Sequence, residues 1–158
     1  ILEIYEYVHQ ILPLSRKRED NFIAGHSMGG YGTIKFALTQ SDKFAKAAPL
    51  SAVFEAQRFI DLDWTDFSPQ SITGNNTQIK GTELDTYYLL DQAIDANVDI
   101  PELFIMCGKE DFLYHDNLQF IETLNKKGVS YKFEDGPGDH DYAYWDRAIK
   151  RAIKWFVQ

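Results

Sequence analysis

The sequence predicts an α/β fold, a parallel sheet flanked by helices with one long irregular insertion, and three observations predict it. Short apolar runs alternate with segments of helical periodicity along most of the 158 residues, the pattern of parallel strands joined by crossover helices. Three of the runs lead at their carboxyl ends into polar loops, where an open sheet of this kind places its chemistry. The first of those loops is Gly25-His26-Ser27-Met28-Gly29, set between a strand pattern and a helix pattern.

The elements follow in order. Ile1, Ile4, Val8, Ile11 and Leu12 recur at helical spacing and Pro13 ends that helix. Residues 21–25 form a strand and 28–38 the helix behind it. Residues 45–51 suit a short buried strand, and 102–107 form the next. An amphipathic helix follows, with Leu118, Ile121 and Leu124 inward and Gly128 closing it. Residues 129–133 are the last strand. Residues 141–157 are the last helix, with Ala148, Ala152, Trp155 and Phe156 on its inner stripe. Between Val53 and Pro101 the rhythm breaks, and so long an irregular stretch reads as a functional insertion. Phe54, Phe59, Trp64 and Phe67 either line a pocket beneath it or anchor it to the core. The whole of 1–158 reads as a single domain containing the 53–101 insertion.

A Gly-x-Ser-x-Gly between strand and helix is a nucleophile elbow, a turn so tight that side chains two before and two after the serine collide. Glycine at both places relieves the clash. Ser27 is then lifted above the sheet, facing the positive end of the following helix. A serine hydroxyl is a weak nucleophile unaided, so the elbow calls for an acid and a base later in the chain, in that order. His140 suits the base, in the turn-rich loop Asp135-Gly136-Pro137-Gly138-Asp139-His140. His9 precedes the serine, His26 is the variable residue of the elbow and His115 opens a helix. Asp111, in the loop after the 102–107 strand, is the choice for the acid, with Glu110 and Asp116 as alternatives. It would hold the His140 tautomer and stabilise the imidazolium. A capping role for Asp111 on the next helix is compatible with that task.

Three blocks also resemble a known family: Gly25-His26-Ser27-Met28-Gly29-Gly30-Tyr31-Gly32, then Gly108-Lys109-Glu110-Asp111-Phe112-Leu113-Tyr114, then Gly136-Pro137-Gly138-Asp139-His140-Asp141 with Tyr144-Trp145-Asp146. They are similar to the putative-esterase family of α/β-hydrolases. That group holds tributyrin, feruloyl and acetylxylan esterases, S-formylglutathione hydrolase and the mycolyltransferases. The resemblance implies the C-terminal part of an α/β-hydrolase fold, with Ser27 as nucleophile, Asp111 as acid and His140 as base. It implies that the Met28 N–H is one of two oxyanion donors, and that residues 53–101 hold a lid. His26 and Trp64 are expected to contact substrate. Family members carry about half their catalytic domain ahead of the elbow, including the loop with the second donor. This chain opens at Ile1 with one helix before the elbow strand, so an N-terminal half is expected to come from elsewhere. Losing one oxyanion donor typically costs roughly 100–1,000-fold in turnover.

Composition bounds the partners. The chain is 44% hydrophobic and 15% aromatic, ample for a packed core. Its net charge of −8 argues against nucleic acid or an anionic membrane surface. Arg16-Lys17-Arg18 is offset at once by Glu19-Asp20. A half-sheet would leave the first strand with an unpaired edge, so a homo-oligomer or a complementing N-terminal half is expected. Cys107 is the one cysteine, which excludes an intrachain disulfide and favours a cytoplasmic protein. No cofactor is expected. Lys35 stands where a dinucleotide fingerprint needs its third glycine. The Asp61, Asp63, Asp66 run lacks the glycine and glutamate of a calcium loop, and no His/Cys set has zinc spacing. The family resemblance implies hydrolysis of short-chain acyl, acetyl-sugar or hydroxycinnamoyl esters as the activity. The alternative is a non-catalytic hydrolase fragment acting as a binding or assembly piece.

Overall fold

The computed structural model describes residues 2–61, 73–74 and 77–158. Four strands form one sheet in the order β1 (Phe22–His26), β2 (Lys46–Leu50), β3 (Glu102–Gly108), β4 (Lys132–Gly136), every neighbouring pair parallel. All four carboxyl ends therefore lie along one edge of the sheet. Around it stand α1 (Leu2–Ile11), α2 (Met28–Thr39), the short α3 (Ala56–Asp61), α4 (Thr86–Asp95), α5 (Tyr114–Lys127) and α6 (Tyr142–Phe156).

Strand alternation divides the core into two layers. Ala47, Leu103 and Ile105 face the side covered by α2, α4 and α5, packing with Ile34, Ala37, Leu90, Phe120 and Leu124. Ala48, Leu50, Phe104 and Met106 face α6, against Tyr144, Trp145, Ala148 and Ala152. β2 and β3 are thus buried on both faces, which is why they read as near-continuous apolar runs. The C-terminal end of α6 is tied to the sheet by Lys46, whose Nζ donates to the Trp155 carbonyl at 2.9 Å. That places a cation where helix carbonyls lack partners.

Three expectations change. The last strand begins at Lys132, because residues 128–129 are still finishing α5: Gly128 adopts φ 69° and the Val129 N–H returns to the Leu124 carbonyl at 3.0 Å. Asp135 and Gly136, read as loop, are ladder residues opposite Cys107 and Gly108. Within 53–101, residues 86–95 form α4, started by the Asp85 side chain accepting from the Tyr87 N–H at 3.0 Å. Phe54 and Phe59 are anchors. Phe54 stacks on Phe120 with ring centroids 4.0 Å apart, and Phe59 packs with Tyr31, Val53 and Leu113. Trp64 and Phe67 lie outside the described residues.

α1 forms as its spacing predicts, yet none of its residues is buried. Ile4, Tyr7 and Ile11 are exposed. No helix among the described residues is long and apolar enough to cross a membrane.

Candidate active site

The elbow forms at the carboxyl end of β1. A Cβ on Gly25 would lie 2.4 Å from the Gly29 carbonyl oxygen, so position 25 admits no side chain; a Cβ on Gly29 itself meets nothing within 4 Å. The expected clash is therefore one-sided. Ser27 takes φ 55°, ψ −120°, a conformation an L-residue rarely adopts and one that marks functional sites. It occupies the N-cap position of α2 but makes no side-chain cap bond, unlike the usual N-cap serine. The hydroxyl turns instead toward His140, with Oγ 2.9 Å from Nε2.

The other ring nitrogen of His140 faces Asp111, with Nδ1 at 3.0 Å from Oδ1 and 2.9 Å from Oδ2. The Asp111 side chain is completely buried. Burial pushes its carboxyl toward the neutral form, but hydrogen bonds from His140, Ser51 and the Leu113 N–H outweigh that and hold it below the ordinary carboxylate value. An ionised carboxylate only accepts. Nδ1 must therefore carry the proton, leaving Nε2 as the acceptor that faces the Ser27 hydroxyl. The Leu113 N–H donates to Asp111 Oδ1 at 2.8 Å, so the carboxylate also shapes the turn into α5.

The two other carboxylates considered for the acid have different work. Glu110 Oε2 accepts from the Gly138 N–H at 2.6 Å, and the Glu110 N–H donates to the Gly138 carbonyl at 3.1 Å. The loop of the acid thus clamps the loop of the base. Asp116 pairs with Arg58 at 2.7 Å. His9 binds the Tyr5 and Ser15 carbonyls and His115 lies at the start of α5, both apart from the site. His26 stacks on Trp145 at 4.0 Å. Burial, then the neighbouring His140, holds its pKa below the usual histidine value, so its ring is neutral at pH 7. Met28 is the first residue of α2, and a helix of this kind has no acceptor of its own for that N–H.

Two contributors are given no role by the sequence alone. Ser51 follows β2 as Ser27 follows β1, and Trp145 of α6 touches both Ser51 and His140. A serine at a strand's carboxyl end was a readable signal; Trp145 stands in the third family block, but its helix alone gives it no role. No group of three or more potential metal-binding side chains occurs among the described residues.

The depressed Asp111 carboxyl makes stability depend on pH. A folded value below the unfolded one contributes stability that is full above the unfolded value and is lost as pH falls through the folded one. Acid denaturation should therefore steepen below about pH 4. Asp111→Asn should flatten that limb, measured by urea midpoints at stepped pH.

Parallel sheet, elbow and hydrogen-bonded serine, histidine and aspartate together define the α/β-hydrolase class. The chain belongs to the esterase family described as "Putative esterase", whose model matches residues 2–156. It is 28% identical over 160 residues to an acetyl esterase of Caldicellulosiruptor saccharolyticus, spanning 97% of this chain and 60% of that protein. Among solved structures it is similar to FphF, a fluorophosphonate-binding serine hydrolase of Staphylococcus aureus, at 71% identity and a TM-score of 0.95. That match covers 99% of this chain and 62% of the other. S-formylglutathione hydrolase (FrmB) of the same organism matches at 71% identity and a TM-score of 0.92, with the same coverage. The chain therefore spans about three-fifths of the length of these relatives.

Proposed function

We propose that the protein is a serine carboxylesterase that acts through an acyl-enzyme on Ser27. The observation that carries this reading is the continuous relay, Ser27 Oγ to His140 Nε2 at 2.9 Å and His140 Nδ1 to Asp111 at 2.9 Å. In this reading Nε2 takes the hydroxyl proton as Oγ attacks the ester carbonyl. The Met28 N–H is one donor to the resulting oxyanion. Collapse of the tetrahedral adduct breaks the carbonyl–alkoxy bond, and His140 hands its proton to the departing alcohol. Water then attacks the acyl-enzyme, its proton passes to Nε2, and the second collapse releases the carboxylic acid and restores Ser27. Asp111 stays ionised throughout and holds the imidazolium.

Short acyl groups on small alcohols are the substrate class, with acetylated sugars, hydroxycinnamoyl esters and a thioester such as S-formylglutathione as members to test. The acetyl esterase and S-formylglutathione hydrolase relatives support this range. His26 and Trp64 are the substrate contacts of this reading, and Phe112, half exposed with its ring 4.6 Å from that of His140, adds a wall. Within 53–101, the stretch between α3 and α4 supplies the lid. A second copy or a complementing N-terminal half covers the exposed face of α1, and the second oxyanion donor belongs to the segment that family members carry ahead of the elbow.

The test is covalent labelling with a fluorophosphonate probe, read by intact mass. The expected result is one adduct on the wild-type chain and none on Ser27→Ala. An unlabelled wild-type chain would favour the non-catalytic fragment, for which the bare face of α1 is the supporting observation.

A further inference from the structure

Asp111 and His140 stand on separate loops, and their contact holds only while those loops keep their spacing. We infer that Glu110 is a positioning residue that fixes this spacing, gripping Gly138 by both its N–H and its carbonyl and so keeping His140 in register with Asp111. For its effect on rate the inference rests on the esterase reading above.

Glu110 lies just beyond β3 and directly before Asp111, so one dipeptide carries both the grip and the acid. Its main-chain N–H donates to the Gly138 carbonyl at 3.1 Å. Its side-chain Oε2 accepts from the Gly138 N–H at 2.6 Å, and a carboxylate acceptor makes the stronger kind of hydrogen bond. One residue thus supplies the donor and the acceptor that a neighbouring strand would offer. The ladder between β3 and β4 ends at the Gly108–Gly136 pair. The Lys109 N–H, bonded to the Gly136 carbonyl at 2.9 Å, and then Glu110 carry it two residues further, almost to the base.

Only Asp139 separates Gly138 from His140. On the far side, the Asp141 N–H returns to the Asp139 carbonyl at 2.8 Å, which makes His140 the middle residue of a three-residue turn. The Asp141 side chain accepts from the Tyr144 N–H at 2.8 Å and so joins that turn to α6. Pro137 has no N–H to offer, and its carbonyl accepts from Arg147 of α6 at 2.9 Å. These bonds tie the loop of the base to its own helix. Glu110 ties it to the loop of the acid, independently of the contact between Asp111 and His140. Without that tie the turn can follow α6 while Asp111 stays with β3.

The test compares Glu110→Ala, Glu110→Gln and Glu110→Asp with the wild type, using p-nitrophenyl acetate turnover and the low-field proton resonance of His140 Nδ1–H. Glutamine removes the charge and keeps an oxygen within reach of Gly138; aspartate keeps the charge and is one methylene too short. Glu110 is exposed, so water competes for its bond and the expected loss is modest. Alanine and aspartate should each lower kcat about 5- to 20-fold, leave KM within about twofold, and shift or broaden the resonance. Glutamine should recover most of the rate and the resonance. Unchanged kcat and resonance in Glu110→Ala would overturn the inference. So would equal losses in the alanine and glutamine variants with a normal aspartate variant, which would assign the effect to charge. If Glu110→Ala fails to fold, Glu110→Asp decides, and an unshifted resonance there overturns it. A wild-type chain without turnover would defeat the esterase reading alone, because the resonance still reports on Glu110.

Discussion

Replacing Asp111 by asparagine is expected to slow acylation by an activated ester about 10,000-fold while the chain stays folded. The cause is orientation. The Leu113 N–H points at Oδ1 from 2.8 Å, so the asparagine carbonyl must occupy that position. Its amide NH2 then faces His140 Nδ1, where the carboxylate had offered a lone pair. Two N–H groups cannot share that contact, so the imidazole moves its proton to Nε2, the nitrogen 2.9 Å from Ser27 Oγ. A protonated Nε2 cannot receive the serine's hydrogen. Stopped-flow acylation with p-nitrophenyl acetate, alongside near-ultraviolet circular dichroism, measures both halves of the claim. A loss below about tenfold would mean that His140 keeps its tautomer without Asp111.

The second large effect concerns Gly108, the last residue of β3. A Cβ there would stand 2.1 Å from the Gly138 carbonyl oxygen, a backbone atom with little freedom to retreat. Gly138 has φ 153°, and a Cβ of its own would meet the Tyr144 ring at 2.4 Å. It is also held by both bonds to Glu110. Gly108→Ala must therefore pry the loop of His140 away from that of Asp111. We expect a destabilisation of about 2–4 kcal/mol, a fall in Tm of roughly 5–15 °C, and loss of fluorophosphonate labelling in the molecules that remain folded. Thermal melts and labelling on the same sample separate the two. Normal labelling would show that the loops can part without disturbing His140.

How much of this was legible depends on what each residue's role requires of its neighbours in sequence. Ser27 announces itself because a tight turn needs Gly25, and Gly25 is part of the string. His140 and Asp111 could be sought by chain order and by the ends of apolar runs. The choice among Glu110, Asp111 and Asp116 needed coordinates, since only the fold shows which carboxylate meets His140 and which are turned to Gly138 and Arg58. The doubly buried strands were readable from their apolar runs, although β4 was placed three residues early because Val129, Tyr131 and Phe133 alternate as a strand does while Val129 still closes α5. α4 was legible, since Thr86, Leu89, Leu90 and Ala93 recur at helical spacing, but it lay inside a stretch read as one irregular insertion. Ser51 and Trp145 meet across ninety-odd positions of chain, and no local pattern records such a meeting.

The backbone links at the ends of the strands reach beyond this one site. The Ser27 N–H binds the Leu50 carbonyl, the Ser51 N–H binds the Met106 carbonyl and the Lys109 N–H binds the Gly136 carbonyl. Three of the four strands, as they leave the sheet, are thus pinned by main chain to the last rungs of a neighbour. Those bonds are indifferent to side-chain identity. The frame is thus held apart from the chemistry: main chain alone pins positions 27, 51 and 109. Side-chain exchange at these positions can therefore change the chemistry without cutting the links that hold the strand ends together.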